Sequence, residues 1–254
     1  MTKSTLEFKS TVDVQLINTM GGDHMVVAAA KVSTNGNDAI SFSNGTAKND
    51  KGNPWSNGDS SSLIGYLMKH RHGTPFEHSC LTFFVHAPIF VWREWHRHRI
   101  GFSYNEESGR YKTLDPVFYL PDRNRPMMKV EGWKPGRPKF TRCNDIALYN
   151  SLCSNLISSY EHSYAAYEAN LSMGFDPGLA RDCLPVGIYS GCWVTCNPRS
   201  LMAFLSLRTH EPEATAVSYP LWEIELGARA CERIFADGWP LTYKAFCKNG
   251  RVAP

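Results

Sequence analysis

No run of about 18 apolar residues occurs in the 254-residue chain, so no segment reads as a membrane-crossing helix. The opening MTKSTLEFKS lacks the apolar stretch of a secretory signal, and a soluble, cytoplasmic protein is expected. Neither charge sign dominates: Lys and Arg number 27 against 24 Asp and Glu, a net +3. A general polyanion binder carries a larger excess, so any anion site must be local. The phosphate loops Gly-x-Gly-x-x-Gly and Gly-x-x-x-x-Gly-Lys and the nucleophile elbow Gly-x-Ser-x-Gly are all missing, so a nucleotide or flavin would have to be held by side chains. No linker rich in Pro or Ser divides the middle of the chain, and one domain over 1–254 is expected. The eight cysteines are scattered rather than framed for disulfides, which fits free thiols. Cys192 and Cys196 lack a second Cys or His pair nearby, so no metal site is expected.

What is present suffices for a large core: 43% of residues are hydrophobic, with 7 Trp, 11 Tyr and 13 Phe. Asp13 to Ser33 reads as a strand, a turn at Gly21-Gly22 and a helix of small residues. Thr34 to Ser62 turns to Asn, Gly, Ser and Asp without periodicity and reads as a polar loop insertion. Ser60 to Ser62 can cap a helix over Leu63 to His70, and Ser79 to His86 reads as a strand. Pro88 to Arg99 reads as a helix that delivers basic residues. Tyr149, Leu152, Leu156, Tyr160, Tyr164, Tyr167 and Leu171 recur at helical spacing between Asp145 and Gly174. Asp176-Pro177 and Asn197-Pro198 each announce a helix start, with a strand between them over 186–196. A last helix is expected from about Leu221 to Ala236. The pattern implies an α/β (α+β) fold, a mixed sheet flanked by long helices.

Two segments carry chemistry. REWHRHRIGFSYNEESGRYK, Arg93 to Lys112, packs Arg93, Arg97, Arg99, Arg110 and Lys112 with His96 and His98. Guanidiniums at this density call for an anion among them, since Glu94, Glu106 and Glu107 are too few to neutralise all. Their alternation with Trp92, Trp95, Phe102, Tyr104 and Tyr111 departs from a solvated charge run. It fits either a flavin dinucleotide with a nucleotide, or single-stranded nucleic acid stacked on rings. The second segment, His70-Arg71-His72-Gly73-Thr74-Pro75-Phe76-Glu77-His78, has no standard metal-ligand spacing and better suits contacts to a ring or phosphate.

RHRIGFSYNEESGRY, from Arg97 to Tyr111, resembles the signature of flavin-dependent thymidylate synthases, which runs Arg-His-Arg, about seven residues, then Ser and shortly Arg-Tyr. HGTPFEH at His72 to His78, AAKVS at Ala29 to Ser33, LARDCLP at Leu179 to Pro185 and NPRSLMAFLSLR at Asn197 to Arg208 resemble further blocks in the family's order.

The resemblance implies that flavin adenine dinucleotide (FAD) is held by Ser33, His72, Thr74, Glu77, Arg97, His98, Arg99, Glu106, Asn197 and Arg199. It implies that deoxyuridine monophosphate (dUMP) is held by Glu94, Arg97, Glu106, Glu107, Ser108, Gly109, Arg110, Arg181 and Arg208. Arg208 would also act catalytically, favouring the N3-ionised pyrimidine as a fixed cation does. The implied reaction makes deoxythymidine monophosphate (dTMP) from dUMP, with 5,10-methylenetetrahydrofolate as carbon donor and NADPH as reductant. A homotetramer with sites between subunits is implied, with no nucleic-acid or membrane partner.

Two departures from the family pattern bear on specificity. Eight residues separate Arg99 from Ser108, so the chain must bulge by one between Ile100 and Tyr104. Glu94 stands where many relatives have Gln, and Ala203 where a polar flavin contact is common. A carboxylate near the base keeps open a related enzyme that methylates or hydroxymethylates another pyrimidine nucleotide.

Overall fold

A computed structural model of the chain describes residues 5–48, 52–132, 134 and 139–254. The first half contains β1 (Glu7–Lys9), β2 (Asp13–Met20), α1 (Asp23–Asn35), α2 (Ile40–Ser43), α3 (Asn57–Lys69), β3 (Cys80–Pro88), α4 (Ile89–Trp95), β4 (Phe102–Glu106) and β5 (Val117–Tyr119). There follow β6 (Pro126–Lys129), β7 (Phe140–Arg142), α5 (Ile146–Ser172), α6 (Pro177–Ala180), β8 (Tyr189–Cys196), α7 (Pro198–Arg208), α8 (Trp222–Gly238) and α9 (Pro240–Lys248). Short 3-10 turns occupy Gly36–Ala39, Thr74–Glu77 and Arg181–Cys183. The fold is mixed α/β. Among the described residues the strands form three sheets rather than one: β2-β3-β8-β4, a parallel β1-β5 pair and an antiparallel β6-β7 pair.

The chain falls into two compact units, one of residues 1–13, 85–97 and 105–192, the other of 14–84, 98–104 and 193–254. In the first, α5 supplies the core. Asp145 Oδ1 accepts from the N–H groups of Ala147 and Leu148 at 2.8 and 3.1 Å, capping the helix. Tyr160, Tyr164 and Tyr167, three or four residues apart, share the buried face with Phe118 and Ile188. Each buried ring keeps its hydroxyl paired. Tyr160 donates to Tyr119 O at 3.0 Å, Tyr164 donates to Leu114 O at 2.8 Å, and Tyr167 accepts from Leu114 N–H at 3.1 Å. Such bonds contribute about 1 kcal/mol each, and leaving one partner unmade costs more.

In the second unit α3 packs on α1 and α9, and α8 packs on α7 and α9. Asp23 caps α9 from a distant part of the chain: its carboxylate accepts from Leu241 N–H at 2.8 Å and from Thr242 N–H and Oγ1–H at 3.0 and 2.6 Å. Glu232, 4% exposed, receives Arg251 and Arg229 at 2.6 and 2.9 Å and the Tyr243 hydroxyl at 3.0 Å. Buried charge is tolerated here because both signs are hydrogen-bonded.

Several expectations need correction. The polar stretch 34–62 is not a continuous loop: α1 extends to Asn35, a 3-10 turn and α2 follow, and α3 begins at Asn57. The cap is Ser56, in a reciprocal box with Asp59, four residues ahead of the first expected cap Ser60. The helix expected through Arg99 ends at Trp95, with Pro88 just outside its start. Its last bonds tighten at Arg97 N–H to Glu94 O, 3.3 Å, and Gly101 then takes φ +68, which breaks any continuation. The strand expected from Val186 starts at Tyr189, because Pro185 to Ile188 closes a turn with Ile188 N–H on Pro185 O at 3.0 Å.

Candidate functional site

In the first unit, β4 and β8 set the position of two carboxylates. Glu107 is tied to Gly191 twice: its N–H donates to Gly191 O at 2.9 Å, and its Oε1 accepts from Gly191 N–H at 2.8 Å. Glu106 Oε1 accepts from the Ser190 hydroxyl at 2.6 Å. Lys112 lies 3.1 Å from Glu107 and 3.0 Å from Asp115, which together hold its ammonium above the usual range, Asp115 contributing most.

Between these anchors the chain turns tightly. Ser108 O accepts from the N–H groups of Tyr111 and Lys112, and Ser108 Oγ accepts from Arg110 N–H at 3.3 Å. Gly109 is buried, and a Cβ there would lie 3.1 Å from both Arg181 and Leu114 side-chain carbons, so glycine lets the Arg181 stem approach the turn. A cavity of about 410 Å³ opens beside it, lined by Glu106, Glu107, Gly109 and Arg181 together with Arg93 and Asp182. Among the described residues Arg93 and Arg181 form no ion pair. The cavity therefore offers two uncommitted guanidiniums beside three carboxylates, of which Glu106 and Glu107 are already hydrogen-bonded, and the two arginines are the groups there that can meet a phosphate.

Ser108 and Arg110 belong to the same turn but not to the cavity lining, and Arg110 lies over the Tyr111 ring at 5.6 Å. Glu94, half-buried on α4, and Arg97, exposed just beyond it, do not line the cavity either. Arg93 and Asp182 were not singled out as ligands from the sequence. Arg93 sits in the basic run, which could have marked it; Asp182 gave no signal.

In the second unit, α7 organises the other candidates. Asn197 caps it, accepting Ser200 N–H at 2.8 Å. A Cβ on Gly101 would collide with Ser200 and Asn197, so this glycine lets the turn after Arg99 rest on the α7 start. Arg199 spans two partners, donating from Nη1 to Glu77 at 2.6 Å and from Nε to Pro254 O at 2.6 Å. Glu77 ends the 3-10 turn that carries Thr74, and Gly73 precedes it with no room for a Cβ against Arg199. At the other end of α7, Arg208 Nε donates to His98 Nε2 at 3.0 Å. Burial, and then the Arg208 charge, push His98 down to about 4, so this imidazole is neutral and accepting.

His72, Thr74 and Arg99 are exposed. Ser33, exposed on the last turn of α1, donates to Ala30 O at 3.0 Å, while α1 packs against the Thr74–Glu77 turn. All eight cysteines are free. Burial raises Cys192 and Cys231 to about 12 and Cys196 well above its ordinary value, so these three remain thiols.

A family model described as thymidylate synthase complementing protein matches residues 15–241. The flavin-dependent thymidylate synthase of Streptomyces coelicolor is 44% identical over 249 residues, 98% of this chain and 96% of the relative. The chain belongs to the flavin-dependent thymidylate synthase family. It is accordingly an enzyme. The flavin-dependent thymidylate synthase of Tropheryma whipplei strain TW08/27 is 43% identical over 247 residues, 97% of each chain. Among solved structures, the UMP/dUMP methylase PolB from Streptomyces cacaoi bound with 5-Br dUMP aligns with a TM-score of 0.86 and 40% identity, covering 98% of this chain and 100% of that one. The same protein bound with 5-Br UMP gives 0.85 and 38%, covering 98% and 99%. Of the segment Arg97 to Tyr111, the structure places Glu106, Glu107 and Gly109 on one cavity and His98 on Arg208.

Proposed function

We propose that the protein methylates dUMP to dTMP, taking carbon from 5,10-methylenetetrahydrofolate and electrons from NADPH through FAD. The observation that carries this reading is the cavity that joins Glu106, Glu107, Gly109 and Arg181, four signature-block residues brought together from separate parts of the chain. Arg181, with the Ser108 hydroxyl and the backbone N–H groups of the turn, is assigned the nucleotide phosphate, and Arg110 joins them. Glu94 and Arg97 are assigned to the same nucleotide, and Arg208 to its pyrimidine as a fixed positive charge.

The residues assigned to FAD fit a dinucleotide. Arg97 and Arg99 are exposed guanidiniums without an ion pair among the described residues, as a pyrophosphate requires. Thr74 and His72 add exposed polar groups, Ser33 an exposed hydroxyl oxygen that can accept, and the cradle at Gly73 brings backbone close to Arg199. Glu77 and Asn197 orient Arg199 and α7, and His98 and Glu106 complete the set. FAD, when bound, supplies two-electron transfer between the reductant and the one-carbon unit. The chain's own residues bind, orient and exclude water. This reading includes a homotetramer with sites between subunits, a single catalytic domain over 1–254 and a cytoplasmic location. Among the described residues no helix is long and apolar enough to cross a membrane.

A second reading, UMP as an additional substrate, is favoured by the similar structures' description as UMP/dUMP methylase. The test is an absorption spectrum of the purified protein followed by product analysis with dUMP, UMP and deoxycytidine monophosphate in parallel. A flavin spectrum and dTMP are expected. Colourless protein, or a flavoprotein that methylates only the cytosine nucleotide, overturns the assignment.

A further inference from the structure

Away from the residues assigned above, α3 and α9 pack side by side in the second unit and leave a groove of about 520 Å³, within the roughly 300–1,000 Å³ range of small-molecule sites. Its charge has one sign. Lys69 comes from the end of α3, and Lys244 and Lys248 lie one turn apart on α9. No carboxylate lines the groove, and none of the three lysines forms an ion pair among the described residues. Ser61 and Ser62 add two hydroxyls at the first half of α3.

Gly65 supplies an independent observation. It lies inside α3, where glycine is destabilising relative to alanine, and it lines the groove with nothing within 4 Å of a would-be Cβ. Packing does not require a glycine there. Open space over the helix is what it provides. Tyr66, next in sequence, is 53% exposed, lines the groove, and has its ring 4.3 Å from His70 and 5.9 Å from His72. An exposed ring beside ammonium groups and hydroxyls matches a purine carrying phosphates: the ring stacks, and the ammoniums meet the phosphate as point charges. The contact of Tyr66 with His72 leads from the groove to the segment assigned to the flavin.

We propose that this groove binds the phosphorylated adenosine end of the dinucleotide reductant. Its identification as the reductant site rests on the function proposed above, whereas nucleotide binding by the groove does not. The direct test uses the purified, FAD-loaded protein and adenosine 2′,5′-bisphosphate as probe in titration calorimetry. The variants are the double substitution Lys244→Gln with Lys248→Gln, which removes charge, and Gly65→Leu, which fills the groove without altering charge. Both should weaken probe binding by about tenfold or more, with flavin content and dUMP affinity unchanged. In turnover, KM for NADPH should rise in parallel while kcat holds, and KM for NADH should move little in the lysine variant.

Probe binding unaffected by both variants, or displaced equally well by inorganic phosphate, overturns the proposal and leaves an unspecific basic patch. If the probe responds to both variants in a protein that does not methylate dUMP, the groove stands as a nucleotide site and the functional reading falls. If dTMP forms while the probe responds to neither variant, the groove alone is refuted.

Discussion

Arg208 Nε and His98 Nε2 lie 3.0 Å apart, and the histidine is the acceptor. The arginine ends α7 and the histidine sits in the middle of the signature's Arg-His-Arg, so one hydrogen bond fixes a guanidinium against a neutral ring.

Arg208→Ala should leave the protein yellow and cripple methylation, because no other side chain type keeps a fixed charge at that position. Arg97→Ala and Arg199→Ala should instead lower flavin content. Arg199 holds Glu77 and the Pro254 carbonyl, so its loss loosens the Thr74–Glu77 turn as well. Flavin per chain beside turnover for the three variants checks this; a colourless Arg208→Ala protein contradicts it.

The His98 ring should titrate at about 4 rather than near 6.5. Above pH 6.5 folded and unfolded chains both hold it neutral. As pH falls from 6.5 to about 4, only the unfolded chain takes up the proton, so folding stability declines across that window and the effect levels off below it. Arg208→Ala should raise the midpoint only part of the way, since burial is the larger cause. Imidazole NMR measures the midpoint, and melting curves of His98→Asn against pH should show a shallower acid limb.

Ser108→Ala should weaken nucleotide binding by about 1.5–3 kcal/mol, the range of one charge-assisted hydrogen bond. The hydroxyl accepts Arg110 N–H, which leaves its own proton to donate to an anion. Unchanged affinity with lost turnover at saturating nucleotide would point to a reactive serine instead.

Cys183→Ala should turn over like the parent protein. Cys183 is exposed, with its Sγ–H directed to Ala180 O at 3.2 Å, and it does not line the cavity that holds Glu106, Glu107 and Arg181. Abolished methylation with both ligands still bound would establish a cysteine nucleophile.

Arg251→Ala should destabilise the fold by about 3 kcal/mol, the low end for breaking a buried ion pair, because Arg229 remains on Glu232. Chemical denaturation of the variant gives the number, and a change under 1 kcal/mol (about the value of an exposed pair) would remove the pair from the core account.

What was legible in the sequence follows the range of the forces. The tyrosine spacing of α5 and the caps Asp145, Asp176 and Asn197 are local signals, and each marks an observed helix. α9 escaped because its cap is Asp23, 218 residues before Leu241. α3 starts early because a Ser56–Asp59 box outweighs a stretch without periodicity. At the site, the signature segment named Glu106, Glu107 and Gly109, but the presence of Arg93 and Asp182 beside them depends on how α4 and the 3-10 turn at Arg181–Cys183 meet β8. The neutrality of His98 depends on burial, which no motif encodes.

The turn at Ser108 is held like a span between two piers. On one side Glu107 is tied twice to Gly191, and on the other Leu114 is gripped from both its N–H and its carbonyl by Tyr167 and Tyr164. A residue added outside the piers, such as the extra one between Arg99 and Ser108, need not alter the span. Within it, between Glu107 and Leu114, there is little slack to absorb one, because even a Cβ on Gly109 would lie 3.1 Å from Arg181 and Leu114. An added residue therefore has a tolerated side and a disruptive side in this chain, and the boundary between them is Glu107.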